Sequence, residues 1–381
     1  MARGRTLAAL VALVALLALL VVPGAADARS VPPRFFGVTA NGPLDAPGID
    51  LVAEDSVMRQ TGVETIRLPM QWSQLQPFRR LADVPPADRG RFIDVAGVPT
   101  DFTRLDRRVE AAARNGLDVL GLVLETPPWA AADPATVFSP PRDPADYGRA
   151  LSALIGRYGP RGSFWAANPG VPRLPVRHWQ IWNEPSLPRY FAVHGPFAKP
   201  YLRLLRAGYA ASKRADPGAT VVTAGLPNFS WRDLEALYGA GLHARGNFDV
   251  VAVHPFTGRP ADSVRILSRI RAVMDRNGDH AAAIWVTEVS WPSGRGRATS
   301  NQRWVTTQAG EAVKVREVYT AYARAWRRLK LQRAYWYAWA TVDRDSPNAF
   351  DYAGLRTFTR GRRFADKPAV AAYRAVARRY G

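Results

Sequence analysis

The chain has 381 residues, 47% of them hydrophobic, and a formal charge of +20 at pH 7. It holds no cysteine, which excludes disulfides, thiolate metal sites and cysteine nucleophiles together. Lysine stands only at positions 199, 213, 314, 330 and 367, so arginine carries the charge; this fits either a compositional bias or attraction to anionic cell-surface polymers.

At the N-terminus, Arg3 and Arg5 precede an apolar run over 7–22, and Ala26-Asp27-Ala28 offers a small-x-small cleavage pattern. We read residues 1–28 as a signal peptide and 29–381 as the exported, extracellular chain; an uncleaved N-terminal anchor is the alternative. The run is short for a membrane span, and no later stretch reaches that length, so the mature chain is expected to carry none.

Apolar, β-prone runs then recur at 34–40, 65–72, 118–125, 176–182, 219–226, 248–256, 283–289 and 333–340. They alternate little between apolar and polar residues, as strands buried on both faces do. Segments with helical spacing lie between them. The first covers 50–60. In the second, Phe102, Leu105, Val109 and Ala113 form an apolar stripe stopped by Asn115-Gly116. Asp143-Pro144 reads as a cap with a first-turn proline before a helix over 147–158. Further helices are predicted over 200–215, 231–238, 261–277, 310–329 and 368–380.

Eight strands alternating with eight helices predict one domain over 29–381, a single (β/α)8 TIM barrel of the α/β class. Three segments, 73–100, 159–175 and 293–308, are expected to be loops. The first and third follow strands and so belong at the barrel mouth, where such barrels do chemistry.

Two acidic segments close strands. Trp182-Asn183-Glu184-Pro185 ends the fourth, and Thr287-Glu288-Val289-Ser290-Trp291-Pro292 ends the seventh. Glu184 and Glu288 therefore face one mouth from opposing sides, as two carboxyl groups bracketing a sugar bond would. The bland alternative for Glu184 is a cap or an arginine partner. A glutamate buried after Ile284-Trp285-Val286 is costly without partners or function, which favours a role for Glu288. Glu125, ending the third strand, is a candidate for binding a sugar hydroxyl, for a further acid, or for a salt bridge. Trp129, Trp291 and Trp339 follow or end strands and are candidates for stacking on pyranose rings. His254, at the end of the sixth strand, is either a substrate contact or a satisfied core group.

With these residues in place the chain resembles the clan A retaining glycoside hydrolases, families 39 and 5 above all, over nearly all of 29–381. The resemblance implies Glu184 as acid/base, Glu288 as nucleophile, and Asn183 on the sugar's 2-hydroxyl. Ile66-Arg67 with Trp72 and Pro77 resembles the second-strand segment whose arginine supports the nucleophile. Thr126-Pro127-Pro128-Trp129-Ala130 resembles the third-strand turn, Trp339 the eighth-strand tryptophan beneath the sugar, and Lys367-Pro368-Ala369 the entry to the last helix. One departure stands out: His254-Pro255-Phe256 replaces His-x-Tyr, so Phe256 lacks the hydroxyl expected beside the nucleophile. Either Tyr335, Tyr337 or a loop residue substitutes for it, or the nucleophile relies on Arg67 alone.

No phosphate-cradling glycine loop, His-Glu-x-x-His or Gly-x-Ser-x-Gly occurs. Five scattered histidines predict no metal site, and no cofactor is expected. The expected partner is a carbohydrate, with no nucleic acid, and the expected state is a monomer. The reading is a secreted retaining glycosidase. The alternatives are a transglycosylase remodelling surface glycans and a barrel that binds polysaccharide without cutting it.

Overall fold

In the computed structural model, which describes residues 29–381, the eight apolar runs pair in parallel and close on themselves. They form β1 (Phe36–Thr39), β2 (Thr65–Gln71), β3 (Asp118–Leu124), β4 (His178–Ile181), β5 (Thr220–Val222), β6 (Val250–His254), β7 (Ala283–Val289) and β8 (Leu331–Trp336). Each strand hydrogen-bonds the next, and β8 returns to β1 through Phe36 opposite Ala334. All seven residues of β7 are buried, as a strand covered by core on one side and helices on the other requires. The predicted signal peptide lies outside the described residues.

Helices fill the outer ring: α1 (Leu51–Thr61), α2 (Thr103–Arg114), α3 (Pro144–Tyr158), α4 (Ala198–Ala215), α5 (Ser230–Gly239), α6 (Pro260–Arg276), α7 (Gln308–Leu329) and α8 (Pro368–Tyr380). Local chemistry sets their ends. Asp50 accepts from the amide of Ala53, Asp143 from Ala145 and Thr307 from Gly310, satisfying donors that a helix start leaves open. Gly62 ends α1 in the left-handed conformation, φ +94°. On α2, Leu105, Val109 and Ala113 face the core. The architecture is thus a closed (β/α)8 barrel, and residues 31–381 form one compact unit. Among the described residues no helix is long and apolar enough to cross a membrane.

The structure departs from the predicted elements in four places. The fifth run breaks after Val222 and resumes as the two-residue strand Leu226–Pro227 on β6. Between them Gly225 lies against the His254 ring, where a Cβ would sit 1.9 Å from Nε2. The eighth run leaves the barrel at Trp336, not 340; Ala340–Thr341 instead joins Arg356–Phe358 and Phe364–Asp366 in a small outlying sheet. Loop 73–100 contains the hairpin Ile93–Val95 and Val98–Thr100, and loop 159–175 contains the short helix Ser163–Ala167.

Candidate active site

The chain turns sharply after β4. Trp182 and Glu184 both take positive φ, +70° and +42°, a conformation that costs a residue with a Cβ roughly 1–3 kcal/mol and persists only where surroundings over-determine it. Here they do. The Trp182 indole is fully buried and donates to the carbonyl of Tyr190 at 2.6 Å, while the Glu184 amide donates to Gly225 at 3.2 Å. The turn holds the Glu184 carboxyl inside the mouth, 6% exposed. Glu288 is the second-last residue of β7, 9% exposed. One oxygen of each, together with a ring nitrogen of His254, lie within 4.8 Å of one another.

Arg67, projecting from β2 and 1% exposed, ties three strands together. Its Nη1 donates to Glu288 Oε1 at 2.5 Å, its Nη2 to Asn183 Oδ1 at 2.7 Å and its Nε to Gln180 Oε1 at 2.6 Å. A guanidinium only donates, so each bond fixes its partner's orientation. Asn183 must turn its oxygen to Arg67, which leaves its amide donors for a ligand. Gln180 must turn its NH2 group the other way, toward the carbonyl of Thr223 at 3.1 Å and the hydroxyl of Thr287 at 3.3 Å.

From there the hydrogen-bond directions follow one after another. Thr287 accepts from Gln180 and gives its own proton to His254 Nε2, 3.0 Å away. With Nε2 accepting, a neutral His254 carries its proton on Nδ1, which donates to Glu184 Oε1 at 2.8 Å. The ring is neutral because burial pushes its pKa down to about 4; Glu288 partly opposes the shift and Arg67 adds to it. This network, running from Arg67 through Gln180, Thr287 and His254 to Glu184, leaves Glu184 Oε2 to carry a transferable proton. Burial raises the Glu184 pKa to about 7, with Arg189 and Arg67 pulling against it. Such a carboxyl keeps its proton near neutrality, the condition a general acid needs.

Of the residues singled out in the sequence, Glu184, Glu288, Asn183, Arg67 and His254 meet here. Four do not join them. Trp339 is fully buried outside the barrel mouth, its indole donating to Glu54 at 2.6 Å, because the chain leaves β8 earlier than its apolar run ends. Tyr337 lines the cavity in its place, its phenol held protonated by burial and then by the neighbouring Glu288 charge. Trp291 is 1% exposed and packs on Trp336. Trp129 packs edge-on against Trp72 and donates to the carbonyl of Gln76. Glu125 accepts from Ser73 at 2.6 Å, forms no salt bridge with any described residue and is not on the wall of the cavity.

The cavity above the carboxylates measures about 740 Å³, within the usual range for ligand sites. Its walls include Arg189, Tyr190, Asn228, Trp304 and Phe350, none of which sequence reasoning had marked. They come from loops whose approach to the site is purely tertiary. Phe256 sits among them, stacked on Trp304 at 5.4 Å and edge-on to Phe350 at 5.1 Å, so it builds an aromatic wall where a tyrosine hydroxyl was expected. Tyr335 lies lower in the barrel, bonded to Thr65.

Among the described residues Glu184, His254 and Glu288 are the one group with ligand atoms close enough to hold a cation. A metal there would have to displace the Nδ1 proton that His254 shares with Glu184.

No protein-family model matches the chain, and no curated protein matches it. Solved structures do. A family 39 glycoside hydrolase from Bacteroides cellulosilyticus WH2 superposes with a TM-score of 0.65 at 19% identity, over 91% of this chain and 64% of that one. A family 51 α-L-arabinofuranosidase from Bifidobacterium longum gives 0.61 at 13%, over 92% and 74%. A family 1 β-glucosidase from Thermotoga maritima gives 0.57 at 12%, over 93% and 99%. At these identities the likeness is one of fold, and this chain spans less than two thirds of the first of them.

Proposed function

We propose that the chain is a retaining glycoside hydrolase in which Glu184 is the acid/base and Glu288 the nucleophile. The observation that carries this is the convergence of the two carboxyl groups on one mouth, with one oxygen of Glu184 within 4.8 Å of one oxygen of Glu288. Retaining enzymes hold their carboxyl groups about 5–5.5 Å apart, whereas inverting ones need about 6.5–9.5 Å to seat a water between them. In the first step Glu184 gives the Oε2 proton to the glycosidic oxygen while Glu288 attacks the anomeric carbon and the old C–O bond breaks. In the second, Glu184 takes a proton from water, the water oxygen bonds to the anomeric carbon, and Glu288 leaves. Arg67 holds Glu288 Oε1 by a hydrogen bond of 2.5 Å, and Asn183 presents its amide to a sugar hydroxyl.

The same reading includes export, with residues 1–28 as leader, a carbohydrate as partner and a monomeric mature chain. Its direct test is Glu288→Ala with an activated aryl glycoside. Turnover falls by several orders of magnitude, and added azide restores it as the glycosyl azide of inverted configuration. Full activity in that variant overturns the assignment.

A further inference from the structure

We propose that the catalytic cavity continues into an arginine-lined cleft that holds a strand of carboxylate-bearing polysaccharide. The proposal rests on the glycosidase reading above and names its substrate class. A second cavity of about 920 Å³ adjoins the first, and the two share Asn228, Phe256, Asn301 and Trp304 as common wall. The combined space runs from the two carboxylates across the ends of β5, β6 and β7, and it exceeds what a single sugar ring fills.

Two features of the cleft favour a charged glycan. The first is aromatic. Phe229 is 59% exposed, a high value for a large apolar ring, and it meets Trp231 edge-on at 5.5 Å. Exposed rings beside a sugar site offer flat faces for pyranose stacking. The second is electrostatic. Apart from the catalytic pair, the joined walls carry Arg189, Arg265, Arg269 and Arg303 against a single acid, Asp262. Asp262 pairs with Arg265, and Arg189, Arg269 and Arg303 form no ion pair with any described residue. The Arg269 guanidinium lies 4.4 Å over the Trp231 ring and that of Arg189 4.8 Å over Tyr190, so both heads are placed against rings that line the cleft. A planar, pre-oriented guanidinium matches a carboxylate with two parallel hydrogen bonds. A neutral chain would gain nothing from these charges, whereas a carboxylate on successive sugars meets one after another.

The test measures binding of the full chain to polygalacturonate and alginate, two carboxylated polymers, and to neutral galactan of similar length. The acidic chains are expected to bind more tightly than galactan by roughly tenfold or more, an advantage that salt reduces. Arg269→Glu with Arg303→Glu should weaken that binding by a similar factor. Arg316→Glu with Arg324→Glu, the same change of charge on the outer face of α7, should leave it within about twofold. Equal loss in both double variants would mean that net charge alone attracts the polymer and would overturn the cleft. Equal affinity for galactan, or no binding of either acidic polymer, would overturn it as well. None of these readings depends on turnover, so binding that persists in a protein without hydrolase activity removes the catalytic proposal and leaves the cleft standing.

Discussion

At the scale of single residues the account turns on protons. Glu184 ionises at about 7 in the folded chain because burial disfavours its charge, so the alkaline limb of kcat/KM should fall near pH 7 and disappear in Glu184→Gln with substrates whose leaving group needs no proton. The same shift has a sign for stability. A carboxyl whose folded pKa is raised from 4.5 stabilises the fold fully below that value and progressively less as pH rises through 7. Glu184→Gln should therefore raise the unfolding free energy at pH 8 by up to about 3 kcal/mol and leave it nearly unchanged at pH 4, which thermal denaturation at both pH values checks. Gly225→Ala tests the network from the other side. Its methyl would occupy the position of His254 Nε2, displace the ring that orients Glu184, and lower kcat by roughly a hundredfold while circular dichroism stays native. Both glutamates were legible in the sequence because each ends an apolar strand. The dependence of Glu184 on Gly225, Thr287 and Gln180 was not, since those residues meet only through neighbouring strands. Trp339 was misplaced by two residues, because hydrophobicity continues past the point where the strand itself stops.

Among the elements, the loops after β7 and β8 carry Trp304 and Phe350 to the site, and one buried lysine holds them. Lys367, at the start of α8, contacts Glu311 of α7 at 2.9 Å, Ser293 Oγ at 2.9 Å, Asp343 at 3.2 Å and the carbonyl of Tyr352 at 3.0 Å. Burial raises the Glu311 pKa to about 7, and Lys367 opposes that shift. Lys367→Met would strand two buried acids, so it should cost about 3–5 kcal/mol in chemical denaturation, with part recovered on adding Glu311→Gln. Surviving folded protein should show a higher KM, because the wall formed by Trp304 and Phe350 loses its anchor. The Lys-Pro-Ala run was recognisable in the sequence, and so was the helix it opens. What the lysine reaches was not, since its four partners come from segments up to 74 residues away.

Over the whole molecule the barrel was legible because eight doubly buried strands leave continuous apolar runs that few other architectures produce. The cleft, by contrast, is assembled from loops, and loop conformation is not encoded in periodicity. The account's central claim, that Glu288 forms a covalent bond to sugar while Glu184 supplies the proton, belongs to this scale, since β4, β7 and the β2 arginine must converge for it to hold. The most direct measurement incubates the protein with a panel of activated 2-deoxy-2-fluoro glycosides and maps the adduct by peptide mass spectrometry. The account predicts a single fluoroglycosyl ester on Glu288, with activity lost in step with labelling. Labelling of a different carboxylate, or none across the panel from a protein that hydrolyses the matching unfluorinated glycosides, would contradict it.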